Sequence, residues 1–289
     1  MMRETPLLVI GISFHSDETT VAWLKNLSEA ITPVQAQVQV MVVDNTIRDS
    51  SDEFFAKLRE IMPSIQTLKA LTNLGYFGGA HAGLDEWQRR GGGLPLWVMV
   101  SNVDVTYPEQ ELFTHLLDTK YPNDTAVIGP SIWSLARRGD WNPKITHRPS
   151  RRRMHAYKSL YRSHWLFNLY EQGSRIKFAL SKIIRIIRGA VVEKGKSDGL
   201  QDIYAPHGAC MLFSREYFAR GGDLRYPGFL FGEEIFVAET ANKLGLRIYF
   251  DPALKMTSAD HVSTGRFRSK KIVKFMHDSA VLLADRYFP

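Results

Sequence analysis

Over its first 130 or so residues the chain repeats one pattern: a short apolar run, a polar loop, then apolar residues at helical spacing. Leu7 to Ser13 (LLVIGIS) is followed by a helical stretch from Thr20 to Ile31, with Val21, Trp23, Leu24 and Leu27 apolar. Gln37 to Val43 alternates and then turns wholly apolar before Asp44, and a helix from Ser51 to Ile61 comes next. QTLKAL, an Asn- and Gly-rich loop, and a helix from Ala80 to Arg89 repeat the rhythm. Leu96 to Ser101, a helix from Pro108 to Leu117 and a short strand AVIG at Ala126 close this half. Strands alternating with helices predict a mostly parallel α/β sheet with helices on both faces.

The pattern breaks after residue 143 and resumes at Ile203 to Ser214. A short helix Arg215 to Ala219, a helix Glu233 to Leu244, a last strand Arg247 to Asp251 and a helical tail Ser269 to Tyr287 follow. The expectation is one domain over residues 1–289, with an insertion at 144–200.

Charge marks that insertion out. Residues 144 to 196 hold fourteen Lys and Arg against Glu171 and Glu193, a net of +12, whereas the whole chain is +7. The rest of the chain is therefore −5. Cys210 is the only cysteine, which excludes an intramolecular disulfide, a zinc ribbon or an iron–sulfur cluster and predicts a reducing compartment. The start MMRETPLLVIGIS lacks a basic n-region and a cleavage site, and no run of eighteen apolar residues occurs, so the reading is a cytosolic protein.

In an open parallel sheet, ligands bind beyond the carboxyl ends of the strands. Residues at those places are Ser13, Phe14 and His15 after the first strand, and Asp44 after the second. Asn73, Gly75, Gly78 and Gly79 follow the third, and Asn102 and Asp104 the fourth. The glycines allow close backbone approach, but a dinucleotide fingerprint belongs after the first strand of its unit, so a Rossmann dehydrogenase is not predicted. Asp104 suits a hard divalent cation that bridges two phosphates, since phosphates and water supply most of its ligands; the bland reading is a helix cap or an Asx turn. Glu233 and Glu234, after the aromatic loop PGFLF, suit a general base or, more plainly, acids at a helix N-terminus.

In order, GISFHSDE, VMVVDN, TNLGYFGGAHAGL, MVSNVDV, HGACMLFSREYF, GFLFGEEIFVAE and ADHVSTGR resemble glycosyltransferase family 2, most closely its rhamnosyltransferase-like members of GT-A fold. The similarity runs over roughly residues 7 to 265, the insertion excepted. It implies an inverting transferase that moves a sugar from a UDP- or dTDP-linked donor to a glycan or lipid-linked acceptor in bacterial surface polysaccharide synthesis. It further implies Asp44 at the nucleotide, Gly75 to Gly79 lining the donor pocket, and Asp104 on Mg²⁺ or Mn²⁺ with His261 as second ligand or phosphate contact. Glu234 is the implied base and Glu233 the fallback. This chain departs from the family pattern in Phe14-His15, Asn102-Val103-Asp104 and Glu233-Glu234.

Within the insertion, Ser174 to Ala190 places Ile176, Ile183, Ile184 and Ile187 on one helical arc, opposite Arg175, Lys177, Lys182, Arg185 and Arg188. With Arg151, Arg152, Arg153 and Trp165 upstream, this predicts peripheral attachment to an anionic membrane at the inner face of the cell membrane. The competing readings are a helix packed on the protein, nucleic-acid binding through the insertion, and a GT-A-like binding module without activity.

Overall fold

The computed structural model describes residues 5–136, 138–173, 199–258 and 269–289. Ten strands in these residues form one sheet, whose main path has the order β3-β2-β1-β4-β9-β6-β10-β5. The strands are β1 Leu7–Ser13, β2 Val38–Asp44, β3 Gln66–Lys69, β4 Trp97–Asn102, β5 Val105–Thr106, β6 Thr125–Ser134, β7 Gly139–Asp140, β8 Gln201–Ile203, β9 Cys210–Ser214 and β10 Arg247–Ser258. β3, β2, β1 and β4 are mutually parallel, and β9 runs against both β4 and β6, so β6 and its parallel neighbour β10 share the common direction. The α/β expectation holds, with one strand reversed in the middle of the sheet.

The early helices are α1 Asp17–Ala30, α2 Asp52–Ile61, α3 Gly75–Arg89 and α4 Glu111–Asp118. Trp23, Leu24, Leu27, Phe54, Leu58, Phe113 and Leu116 bury their side chains with Val9, Val40, Met99 and Leu212 of the sheet in one core. Burial of the Cys210 thiol in β9 pushes its pKa up to about 12, beyond the range in which it is a nucleophile.

The structure corrects the sequence reading at the glycines. The glycines Gly75, Gly78 and Gly79 lie in the first turns of α3, not in a loop. They are there for close packing. A Cβ at Gly79 would meet the Asn45 amide at 2.9 Å, and one at Gly83 would meet Val43 and Ile10 at 2.9 and 3.0 Å. At Gly75, φ is +72° and a Cβ would strike the Phe229 carbonyl, so only glycine fits. Sheet contact thus overrides poor helix propensity. Asn102 ends β4, and Val103 and Asp104 form the turn between β4 and β5.

The chain divides into two compact units. The first comprises residues 1–148, 199–229 and 233–261, the second residues 149–198, 230–232 and 262–289. In the second, α5 (Arg151–Tyr161) packs on the helix Lys270–Tyr287, with Lys158 bonded to Asp285 at 2.7 Å and the His155 ring 3.0 Å from the Phe288 carbonyl oxygen. Ser150 and Ser269 cap these two helices through their hydroxyls. The Ile-rich stretch 174–190, with Arg175, Lys177, Lys182, Arg185 and Arg188, lies outside the described residues.

Candidate functional site

The sheet register aligns the candidate residues along one edge. Ser13 pairs with Asp44, Ile12 with Asn102 and Ser101 with Cys210, so the carboxyl ends of β1, β2 and β4 meet the start of the reversed strand β9. Reversal of β9 carries His207 and Gly208, some hundred residues further along the chain, to the edge that already holds Asn102 and Asp104.

At the β1–β2 end the charges are matched within the protein. Asp44 is fully buried; one carboxylate oxygen accepts from the Thr46 backbone N–H at 3.0 Å, the other from Arg48 Nε at 2.7 Å and Ser51 Oγ at 2.6 Å. Burial works against ionisation, but these donors outweigh it and hold the carboxyl below the usual carboxylate range. Arg48 also grips Asp17 through two bonds of 2.7 and 2.8 Å. Asp44 thus fixes Arg48 and Ser51 from beneath the surface. Ser13 is also buried, its Oγ accepting from Thr20 Oγ1 at 3.0 Å. Above them lies a cavity of about 390 Å³ lined by His15, Ser16, Asp17, Glu18, Thr19, Thr46 and Arg48. His15 reaches it from a left-handed backbone at φ +50°, where its N–H donates to Thr46 Oγ1, and the half-exposed Phe14 ring packs edge-on against the imidazole.

Asn73 opens α3, its Oδ1 accepting from the Gly75 N–H, and Asn45 donates to the Gly75 carbonyl at 2.8 Å. These bonds tie the start of α3 to the end of β2.

The turn that carries Asp104 is held on both sides. Asn102 N–H donates to the Ala209 carbonyl at 2.8 Å. Tyr107, just beyond β5, accepts from the Trp23 indole at 3.0 Å, while its backbone N–H donates to Asn26. α4 begins at Glu111 with Gln110 as its cap, so Asp104 does not cap it. One Asp104 carboxylate oxygen is sealed from solvent. Tyr76 of α3 marks how near the acids come. Burial first, then neighbouring acidic groups that include Glu233 and Asp104, push its phenol well above its ordinary pKa. Ser258, the end of β10, pairs with Val105 beside Asp104. His261, three residues on, lies outside the described residues.

Glu233 and Glu234 begin the helix Glu233–Lys243, and the Glu233 side chain is buried. Glu234, 13% exposed at its side chain, accepts at Oε1 from Lys144 Nζ at 2.6 Å and from the Gly208 N–H at 3.3 Å. Burial would raise its pKa, but Lys144 and His207 outweigh burial and bring it to about 2. His207 stacks on Trp141 at 4.2 Å between ring centroids.

Arg48, Thr46, Lys144 and His207 were not among the sequence candidates. Lys144 was counted only as insertion charge, yet both it and Arg148 pair with the helix Glu233–Lys243, Arg148 through Glu239 at 2.7 Å. Both residues belong to the first unit.

No group of three or more His, Cys, Asp or Glu able to cage a metal occurs among the described residues. The donor set fits a different kind of site: a single carboxylate at the edge, sufficient for a cation whose remaining ligands come from a diphosphate and water.

No family model and no curated protein matches the sequence. Solved structures do. A mannosyltransferase, PcManGT from Pyrobaculum calidifontis, in complex with GDP-Man and Mn²⁺, is 13% identical with a TM-score of 0.51, over 98% of this chain and 74% of that one. GalNAc-T7 with UDP, GalNAc and Mn²⁺ is 10% identical with a TM-score of 0.56, over 96% of this chain and 50% of that one. The α/β fold, with its mostly parallel mixed sheet, is that of GT-A glycosyltransferase structures.

Proposed function

We propose that the protein is an inverting glycosyltransferase of the family 2, rhamnosyltransferase-like kind, which takes a sugar from a nucleoside diphosphate donor to a hydroxyl of a glycan or lipid-linked acceptor. The observation that carries this reading is the edge itself. Supporting it, Glu234 at the start of its helix accepts from the Gly208 N–H at 3.3 Å, and Asn102, two residues before Asp104, donates to the Ala209 carbonyl at 2.8 Å, at the carboxyl end of β4. The cavity at His15, Thr46 and Arg48 takes the nucleoside end of the donor, and Asp44 holds Arg48 in place beneath it.

Asp104, with His261, would hold Mg²⁺ or Mn²⁺, which supplies charge neutralisation for a diphosphate. Glu234 accepts the proton of the acceptor hydroxyl as that oxygen attacks the anomeric carbon from the face opposite the leaving nucleoside diphosphate, so the configuration inverts. Glu233 stands next to it as the second carboxylate. Mn²⁺ in the complexes of both similar structures supports the metal, and their GDP-Man and UDP widen the donor panel beyond UDP- and dTDP-sugars.

The test is a thermal-shift screen of UDP-, dTDP- and GDP-sugars with Mn²⁺, followed by assay of nucleoside diphosphate release. A donor present at a hundredfold excess over its Kd stabilises the native state by about 2.7 kcal/mol, which raises the melting temperature measurably. A chain that melts at the same temperature with every donor, and releases no diphosphate, is not a transferase.

A specific observation favours a lipid-linked acceptor. In the second unit, Trp165, Leu166, Leu169 and Tyr170 are 68%, 44%, 56% and 50% exposed, while Phe167 and Asn168 between them are buried. The helical run 164–173 thus turns apolar side chains outward, and Arg151, Arg152 and Arg162 are exposed in the same unit. Apolar groups with nearby arginines suit an anionic bilayer surface. No described helix is long and apolar enough to span a membrane. Flotation with phosphatidylglycerol vesicles checks this: Trp165→Ala with Leu169→Ser is expected to leave the protein unbound with an unchanged melting temperature.

A further inference from the structure

Two cations from one short segment pair with the helix Glu233–Lys243, and they do so in different ways. Arg148 forks onto Glu239 with bonds of 2.7 and 3.0 Å, and the Tyr204 hydroxyl donates to the same carboxylate at 2.6 Å. Lys144 makes a single point contact of 2.6 Å with Glu234, from a side chain 38% exposed. The backbone around Lys144 is fastened on both sides. Buried Asn142 donates to the Pro130 carbonyl at 2.8 Å and accepts from the His207 N–H at 2.7 Å, and Ile145 exchanges backbone bonds with Ala205 at 3.0 and 3.1 Å. The lysine is thus a flexible arm on a fixed mount, over a largely buried carboxylate.

A guanidinium fork suits a permanent tie, whereas an ammonium on a four-carbon stem can trade one anion for another. The carboxylate it covers is the one assigned as base. While Lys144 holds it, Glu234 binds a proton poorly. We propose that Lys144 is an exchangeable counter-ion: it occupies Glu234 in the donor-free protein and turns to the diphosphate when a donor binds, so that the carboxylate is released to the acceptor hydroxyl. This rests on the transferase reading above. It makes donor binding the first step, with the acceptor deprotonated only afterwards. Glu234 is faced by Lys144 from one segment and by His207 from another, with Glu233 beside it on its own helix. Lys144 is therefore a positioning residue, acting through Glu234.

The experiment compares wild type, Lys144→Met and Lys144→Arg, each first shown to melt cooperatively, with Lys144→Gln in reserve should the methionine variant not fold. UDP, dTDP and GDP affinities are measured by calorimetry with Mn²⁺, and kcat/KM is followed against pH with the active donor. Lys144→Met is expected to bind the preferred diphosphate about tenfold more weakly, the loss of one charge-assisted contact, and to move the acid limb of the pH profile upward by about one unit. Lys144→Arg is expected to retain the diphosphate affinity. An active wild type whose Lys144→Met variant shows the same affinity and the same acid limb overturns the exchange and leaves the transferase standing. A wild type that binds none of the three diphosphates overturns both.

Discussion

The two ends of the carboxyl edge handle charge in opposite ways. At β1 and β2, Asp44, Arg48 and Asp17 form a closed chain in which both Asp44 oxygens and all three Arg48 nitrogens have protein partners. At β4 and β9, Glu234 depends on a half-exposed lysine and one long bond from a backbone N–H. The first arrangement is complete without a ligand. The second is completed by a partner that another anion can draw away. Buried polar networks stabilise when every member is satisfied, and sites for chemistry keep a member available for exchange.

Substitutions at each end test this contrast. The largest effects belong to the open end: Asp104→Ala, which removes the proposed metal-holding carboxylate, and Glu234→Gln, which removes the proposed base, are each expected to lower turnover about 10²- to 10⁴-fold, with melting temperatures little changed. A Glu234→Gln protein that turns over normally would pass the role of base to Glu233. At the closed end the cost falls on stability. Arg48→Ala strips the main counter-charge from a buried carboxylate and is expected to destabilise by about 3 kcal/mol, roughly 6–12 °C in melting temperature, read by calorimetry. The same pair sets an acid dependence. The folded pKa of Asp44 is depressed, so its contribution is complete above the unfolded value, near pH 4, and is lost as pH falls through the folded one. Arg48→Ala is expected to flatten that loss in acid denaturation curves. The smallest effect lies between the two ends: Gly79→Ala drives one methyl group into Asn45 and Ile12 and is expected to cost about 1–2 kcal/mol. A neutral result would mean that α3 can lift off the sheet at that point.

Much of the scaffold was legible because its strands are buried on both faces and read as unbroken apolar runs. β1 was placed to the residue, and β2 and β4 to within one at each end. β6 and β10 were read too short, since Pro130 and Pro252 sit inside them; in β10 a shift in register between Asp251 and Lys255 accommodates the proline. The start of α3 was missed because three glycines looked like a loop, and only the approach of Phe229 to Gly75 and of Asn45 and Ile12 to Gly79 reveals their purpose. The sequence marked Asp44, Asp104 and Glu234 as acids worth inspecting, but it held no sign of their partners. Arg48 and Lys144 are ordinary basic residues until folding sets them against a carboxylate. No spacing rule links Lys144 with a glutamate ninety positions away.

β9 has a consequence for how the molecule is made. It lies between β4 and β6 and bonds to both, yet it follows β4 by more than a hundred residues. During synthesis, until residues 210–214 leave the ribosome, β4 and β6 each offer a bare edge of apolar residues. Nascent chains stalled within that interval are the species in which a holdase chaperone would find the most to shield.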